Sequence, residues 1–294
     1  MDIIDIIEKV FKLQVYSLSM INESFDCFVY LVNNEYIFKQ SKRIAAREKL
    51  KREVEVLRYL EGRITLQIPQ IEYYSEEYSV CGYREIVGSR LNRELYDRFT
   101  EKQKEKLAID IAQFLRELHA VPLPNIEGLE LEMLKDYQND YAFLQSNIYQ
   151  GLSDKVKVYI DALFDKILND ERLRSFDNVL CHNDFTCRHI ITVCNEAVGI
   201  IDFGDSVISD RDKDFLYLLE ESDVEIGREF GFKVIDSYGK TNKNTALFKS
   251  DLNVEYRPIE EMIIGYNRGL DRLYQGGLSK IIARCEGGLM YGKE

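Results

Sequence analysis

Two short stretches carry the side chains best suited to chemistry. The first is His182-Asn183-Asp184-Phe185-Thr186-Cys187-Arg188-His189, and the second is Ile200-Ile201-Asp202-Phe203-Gly204-Asp205. Asp184 and His189 are five positions apart, and Asp202 follows Asp184 by eighteen. Between them, Ile190 to Val193 and Val198 to Ile201 are apolar runs of strand length. A loop, a tight hairpin and a second acidic turn would bring the three side chains to one point. There one carboxylate accepts a hydroxyl proton, while the other, with the imidazole, holds a metal on a nucleoside triphosphate. That is the equipment of phosphoryl transfer. Either short motif alone arises by chance in many loops. Both in this order, with strand-like sequence between them, make a far more specific signal.

The elements that must position these residues are legible along the chain. Cys27 to Val32 and Glu35 to Lys39 are β-prone runs separated by Asn33-Asn34, a pair that tolerates the positive φ of a tight hairpin. Arg43 to Glu61 reads as one helix whose stripe, Leu50, Val54 and Leu57, follows the spacing of a single face. Glu53 shares that inward face, where a carboxylate is expensive unless a cation meets it. Lys39, at the end of the preceding strand, is the candidate cation. Two more strands are expected over Ile68 to Tyr74 and Tyr78 to Val87, with a hinge near Arg84 to Gly88. Thr100 and Gln103 spell a capping box before a core helix through Leu107, Ile111, Phe114, Leu115 and Leu118. His119, at its end, reads as structural. Further helix is expected over Glu130 to Tyr149, Lys155 to Arg174, Asp212 to Tyr238 and Pro258 to Tyr274. On the third of these, Asp214, Tyr217 and Glu221 would share one face, with Glu220 beside them.

The totals narrow the class. At 294 residues the chain is long enough for one large domain or two unequal lobes. A formal net charge of −12 argues against a nucleic-acid or anionic-membrane surface and suits a cationic partner. The six cysteines form no C-x-x-C pair and read as reduced thiols of a cytoplasmic protein; Cys181, His182, Cys187 and Cys194 lack the spacing of the usual zinc knuckles. The N-terminus is acidic where a signal peptide needs a basic start, and no apolar run approaches membrane-spanning length. A soluble monomer is expected.

The order H-x-D-x-x-x-x-H followed by D-F-G resembles the catalytic and metal loops of the protein-kinase-like superfamily. Within it, H-N-D-F-x-x-x-H with I-I-D-F-G-D is most similar to the bacterial aminoglycoside 2″-phosphotransferases. Tyr30 to Lys39, Gly82 to Ile86, Phe114 to His119 and Ile200 to Tyr217 extend the likeness over nearly the whole chain. The resemblance implies an α+β, two-lobed fold: a small β-rich N-terminal nucleotide-binding lobe, residues 1–87, and a larger, mainly helical catalytic lobe, residues 88–294. It implies transfer of a γ-phosphate to the 2″-hydroxyl of an aminoglycoside antibiotic, which confers resistance. Carried over by motif, Asp184 is the catalytic base, His189 and Asp202 ligate Mg²⁺, and Lys39 with Glu53 positions the phosphates. Glu85 and Ile86 would offer backbone groups to the base. Tyr83 falls at the position before the hinge where a bulky residue goes with GTP over ATP. Acceptor contacts are expected from Asp205, Tyr217, Glu220 and Glu260, with Glu221 and Glu255 as further acids.

One departure is plain. The phosphate-covering loop, Ile21 to Cys27, contains no glycine, although glycine alone lets backbone approach phosphates closely. Ser24 can still donate a hydroxyl hydrogen bond there. Two other readings stay open at this point: a kinase of another small alcohol (macrolide, choline or homoserine), and a nucleotide-binding pseudokinase, which the glycine-less loop favours.

Overall fold

The computed structural model describes residues 1–23, 26–130, 133–174 and 177–287. It comprises two compact units, Met1–Glu130 with Asn178–Thr241, and Leu131–Asp177 with Asn242–Glu294. The lobe boundary expected at residues 87 and 88 falls inside the first unit, just beyond its main sheet.

The first unit opens with a short turn of helix, α1 (Ile3–Asp5), and three antiparallel strands, β1 (Leu18–Glu23), β2 (Cys27–Val32) and β3 (Tyr36–Ser41). Asn33 and Asn34 take φ of 56° and 54°, as the hairpin requires. Helix α2 (Ile44–Leu60) follows, then β4 (Ile71–Ser75) and β5 (Val80–Arg84), which complete a five-stranded sheet in the order β1-β2-β3-β5-β4. Strand alternation sorts the side chains. Phe38, Val32, Tyr36 and Val80 pack with Ile6 and Ile7, whereas Val29, Ile37 and Tyr83 form a separate apolar patch. The predicted α2 stripe is real: Leu50, Val54 and Leu57 are buried, the first two against Cys81. Gly82 has no room for a side chain, since a Cβ there would lie 2.4 Å from the Phe38 ring.

Beyond the sheet come β6 (Ser89–Arg90), α3 (Arg93–Asp97) and α4 (Glu101–Leu118), the last started by the Thr100–Gln103 capping box. Strand β7 (Asn178–Cys181) leads into the catalytic loop. The hairpin β8 (Ile190–Val193) and β9 (Glu196–Ile200) turns through Cys194 and Asn195, both at positive φ, and β10 (Val207–Asp210) returns antiparallel to β7. The continuous helix expected over Asp212 to Tyr238 is absent. Asp210 accepts from the Asp212 amide and opens a 3₁₀ turn, Arg211–Phe215; turns follow, and α7 spans only Arg228–Tyr238. Gly227 at φ +99° breaks any longer helix, because no other residue adopts that backbone readily. Tyr217 therefore sits on a turn, and Glu220 and Glu221 on irregular backbone, not on one helical face.

The second unit is helical: α5 (Met133–Phe143), α6 (Asp154–Asn169, capped by Ser153), α8 (Lys243–Arg268) and α9 (Asp271–Gly287). Phe164, Tyr256, Ile259, Met262 and Ile281 form its core. The helix expected to begin at Pro258 starts fifteen residues earlier, and Pro258 lies within it. No helix among the described residues is long and apolar enough to cross a membrane, and all six cysteines are free thiols.

Candidate active site

The catalytic loop is built around a buried carboxylate. Asp214 accepts the backbone N–H groups of His182 (2.9 Å) and Asn183 (2.6 Å), the first residues after β7. The His119 Nε2–H donates to the same carboxylate at 2.9 Å, while His119 Nδ1 accepts from the Tyr238 hydroxyl at 2.9 Å. Asn183 turns the chain through φ 67°, a conformation asparagine tolerates. The next residues then diverge: Phe185 is fully buried against Phe114, and Asp184 faces a cavity. A 3₁₀ turn, Cys187–His189, follows, with the Cys187 amide donating to buried Glu225 at 3.0 Å. His189 Nδ1–H donates to the Asp184 carbonyl at 2.7 Å, which leaves the Nε2 lone pair free. That nitrogen lies 3.5 Å from Asp202 Oδ2. A neutral imidazole oriented through its other nitrogen, beside a carboxylate oxygen, is a donor pair that fits a divalent cation.

Asp202 itself takes φ 69°, the single left-handed residue that turns β9 into the 3₁₀ turn Phe203–Asp205. Its other oxygen, Oδ1, accepts from Lys39 Nζ at 2.9 Å, and Lys39 Nζ also meets Glu53 Oε1 at 2.6 Å. Lys39 and Glu53 are both buried. Burial opposes charge on Lys39, yet Asp202 and Glu53 more than compensate and hold the ammonium well above its ordinary range. The adjacent Lys39 ammonium, against the opposing effect of burial, keeps Asp202 far below the usual carboxylate range, so it stays ionised. Lys39, Glu53, Asp202, His189 and Asp184 thus form one continuous polar chain.

Two cavities adjoin this chain. One, of about 340 Å³, runs from Tyr83, Glu85, Ile86 and Gly88 to Lys39, Asp184 and Asp202. Tyr83 is buried beside Val29 and Ile37, and that burial pushes its phenol up. The Glu85 amide is already committed to the Glu35 carbonyl at 2.9 Å, so its own carbonyl is what it has to offer a ligand. The second cavity, of about 220 Å³, is lined by Asp26, Lys39, Lys49, Glu53, Asp184, Asp202 and Asp205. Ser24, expected to touch phosphate, lies outside the described residues.

Residues 21–248 match the model of the phosphotransferase enzyme family. The chain belongs to that family. It is similar to the gentamicin complex of APH(2″)-IIa, at 32% identity over 96% of both chains, with a TM-score of 0.88. It is also similar to ADP-bound APH(2″)-Ib, at 31% identity over 97% of this chain and 99% of that one, with a TM-score of 0.86. With the macrolide 2′-phosphotransferase MphH from Brachybacterium faecium it shares the fold, at 13% identity and a TM-score of 0.72. The expected α+β, kinase-like architecture is therefore that of this phosphotransferase.

The remaining acids of this phosphotransferase are distributed more widely. Asp205 lines the smaller cavity and pairs with Lys49 Nζ at 2.7 Å. Tyr217 is half-buried, Glu220 is buried, and exposed Glu221 accepts the Arg228 amide at 2.9 Å. Glu255 and Glu260 belong to α8 of the second unit, where Glu255 lies 3.5 Å from Lys166 and Glu260 is exposed. No zinc grouping joins Cys181, His182, Cys187 and Cys194: the Cys181 and Cys187 thiols turn to backbone carbonyls, and Cys194 is exposed in the hairpin turn. Sequence reasoning missed Lys49, which had a signal, one helical turn before Glu53 on the same face. Glu225, which the sequence offered only as a further acid near the acceptor, is buried and accepts the Cys187 amide.

Proposed function

We propose that the protein transfers the γ-phosphate of a nucleoside triphosphate, GTP in preference to ATP, to the 2″-hydroxyl of an aminoglycoside, and thereby confers resistance. Asp184 accepts the hydrogen bond of the hydroxyl and aligns it for in-line attack. His189 and Asp202 would hold Mg²⁺, which when bound offsets charge on the phosphates. Lys39, fixed by Glu53, neutralises further phosphate charge. Because the transition state is loose, alignment and electrostatics supply most of the acceleration, with late removal of the proton. Residues 1–87 serve as the nucleotide-binding lobe and residues 88–294 as the catalytic and acceptor-binding lobe. Tyr83 narrows the inner end of the larger cavity, which supports the GTP preference. Asp205, Tyr217, Glu220, Glu221, Glu255 and Glu260 supply anionic and aromatic contacts for the ammonium groups of the acceptor. The protein acts as a cytoplasmic monomer.

The observation that carries this reading is the continuous contact from Glu53 through Lys39 and Asp202 to His189 and Asp184. The gentamicin complex of APH(2″)-IIa supports the acceptor class. The test is a panel of aminoglycosides, a macrolide and choline, each incubated with Mg²⁺ and either GTP or ATP and read by mass spectrometry. Fragmentation or NMR of the product locates the phosphate. A mass gain of one phosphate on aminoglycosides alone is expected, and Asp184→Asn should fold and bind nucleotide yet lose transfer by about 10²- to 10⁴-fold. Phosphorylation of a macrolide instead, or near-normal kcat in Asp184→Asn, refutes the reading.

A further inference from the structure

Lys49 is a second lysine in the candidate site, and the reading above gives it no role. It lies on α2 one turn before Glu53, and its Nζ sits between two carboxylates, 2.7 Å from Asp205 Oδ1 and 3.2 Å from Asp26 Oδ2. Both acids line the smaller cavity together with Lys39, Asp184 and Asp202. The two ends of this bridge are unequal. Asp26 also meets the Arg43 guanidinium at 2.5 Å, so it keeps a cation if Lys49 leaves. Asp205 has Lys49 as its one cationic partner among the described residues.

The charges around this cavity are also unbalanced. Among the described residues that line it, five acids, Asp26, Glu53, Asp184, Asp202 and Asp205, accompany two lysines, Lys39 and Lys49, and Arg43 meets Asp26 from outside the lining. Lys49 and Asp205 remain partly open to solvent, with side-chain exposures of 29% and 46%. A pair of this kind is held weakly and can be remade, unlike the buried Lys39–Glu53 pair. An entering triphosphate brings a strong negative charge beside Lys39, and a lysine on a flexible stem one turn away is drawn toward it.

We propose that Lys49 is an exchangeable counter-ion that masks Asp205 until nucleotide binds, and so sets the affinity for a cationic acceptor. With the cavity free of triphosphate, Lys49 occupies the carboxylate that an acceptor ammonium needs. With triphosphate bound, Lys49 turns to the phosphates, Asp26 stays with Arg43, and Asp205 is released to the acceptor. The two substrates then bind synergistically, by differential contact of one ammonium with two sites. This rests on the reading of Asp205 as an acceptor carboxylate.

The experiment is calorimetric titration of the full chain with kanamycin, with and without saturating Mg²⁺ and the β,γ-imido analogue of GTP. The unaltered protein should bind kanamycin about tenfold more tightly with the analogue, a coupling of ordinary size. Lys49→Met should bind it in both states about as tightly as the unaltered protein does with the analogue, so the ratio falls to about one. Lys49→Arg should keep the ratio, and Asp205→Asn should give weak, analogue-independent binding. A tenfold ratio surviving in Lys49→Met overturns the inference, as does weakened kanamycin binding in both of its states. If Lys49→Met does not fold, a ratio kept in Lys49→Arg and lost in Asp205→Asn supports it, and any other pattern overturns it. No kanamycin binding to unaltered protein that still binds the analogue refutes the acceptor class and the inference together. Binding with a ratio of one in the unaltered protein refutes the inference alone.

Discussion

Replacing Asp214 by alanine should cost stability and activity together, by an amount the hydrogen bonds allow one to bound. The carboxylate is fully buried and accepts from the His182 amide, the Asn183 amide and His119 Nε2, at 2.6 to 2.9 Å. Hydrogen bonds to a charged acceptor contribute about 1.5–3 kcal/mol each, and a buried donor left without a partner costs about 1–3 kcal/mol. Three bonds sharing one carboxylate are not additive. The loss expected for Asp214→Ala is therefore about 4 kcal/mol, with Asp214→Asn at about half of that because one oxygen survives. The chain has no tryptophan, so urea unfolding followed by circular dichroism is the natural assay. A pH series adds an independent check. Burial pushes the Asp214 carboxyl up, but the hydrogen bonds from His119 and the Asn183 amide outweigh it and lower it overall. A carboxyl lowered in the folded state contributes stability that is complete above its unfolded value, near pH 4, and disappears as pH falls through its folded value. The gap between the unaltered protein and Asp214→Asn should be flat above about pH 4 and should shrink below it. Because the two amides hold the start of the catalytic loop, kcat/KM should fall by about 10² or more. A stability loss under about 1 kcal/mol, or unchanged turnover, would show that Asp214 does not anchor the loop.

Two further changes test neighbouring parts of the site. Tyr83→Ala should open the inner end of the larger cavity and raise kcat/KM for ATP relative to GTP by about tenfold; a ratio that does not move would remove Tyr83 from nucleotide choice. Lys39→Met strands Glu53 as a buried carboxylate and should destabilise by about 3–5 kcal/mol, whereas Lys39→Met with Glu53→Met should regain much of it, because the buried carboxylate is gone and Asp202, the other partner of Lys39, is partly open to solvent. Equal instability of the single and double variants in urea would mean that the ion pair does not govern folding at this point.

What was legible in the sequence was local in origin. The Asn33-Asn34 turn, the Thr100 capping box and the α2 stripe each depend on residues within a few positions of one another, and each stands as expected. The chain of Lys39, Glu53, Asp184, His189 and Asp202 was legible for a different reason. Buried charge at Glu53 demanded a cation, and the motif spacing allowed few candidates. The helix expected over Asp212 to Tyr238 failed because apolar periodicity does not register a side chain that competes for backbone. Asp210 captures the Asp212 amide, and Gly227 at φ +99° ends the possibility downstream. Glu225 was only a nearby acid in the sequence, because its partner is a backbone amide thirty-eight residues away.

The same contrast explains why the cluster of Asp184, His189 and Asp202 could be read more fully than the acids beyond it. At that cluster, two left-handed residues, Asn183 and Asp202, each redirect the chain within one step, so the geometry is written into a pair of short motifs. The rest of the machinery has only to hold those turns in place. Asp214 does so from one side through backbone amides, and Lys39 does so from the other through Asp202. An isolated acid has no such local mark. Asp205 follows Asp202 by three residues and would pass for a free anion, yet its partner is Lys49 on a helix more than 150 positions earlier. Whether such an acid serves the protein or the ligand is decided by competition between cations. That competition is a property of the assembled cavity and is not recorded in the spacing along the chain. Spacing along the chain can therefore bring Asp184, His189 and Asp202 together, while the charge balance around Asp205 becomes visible only once Lys49, Asp26 and Asp205 are seen side by side.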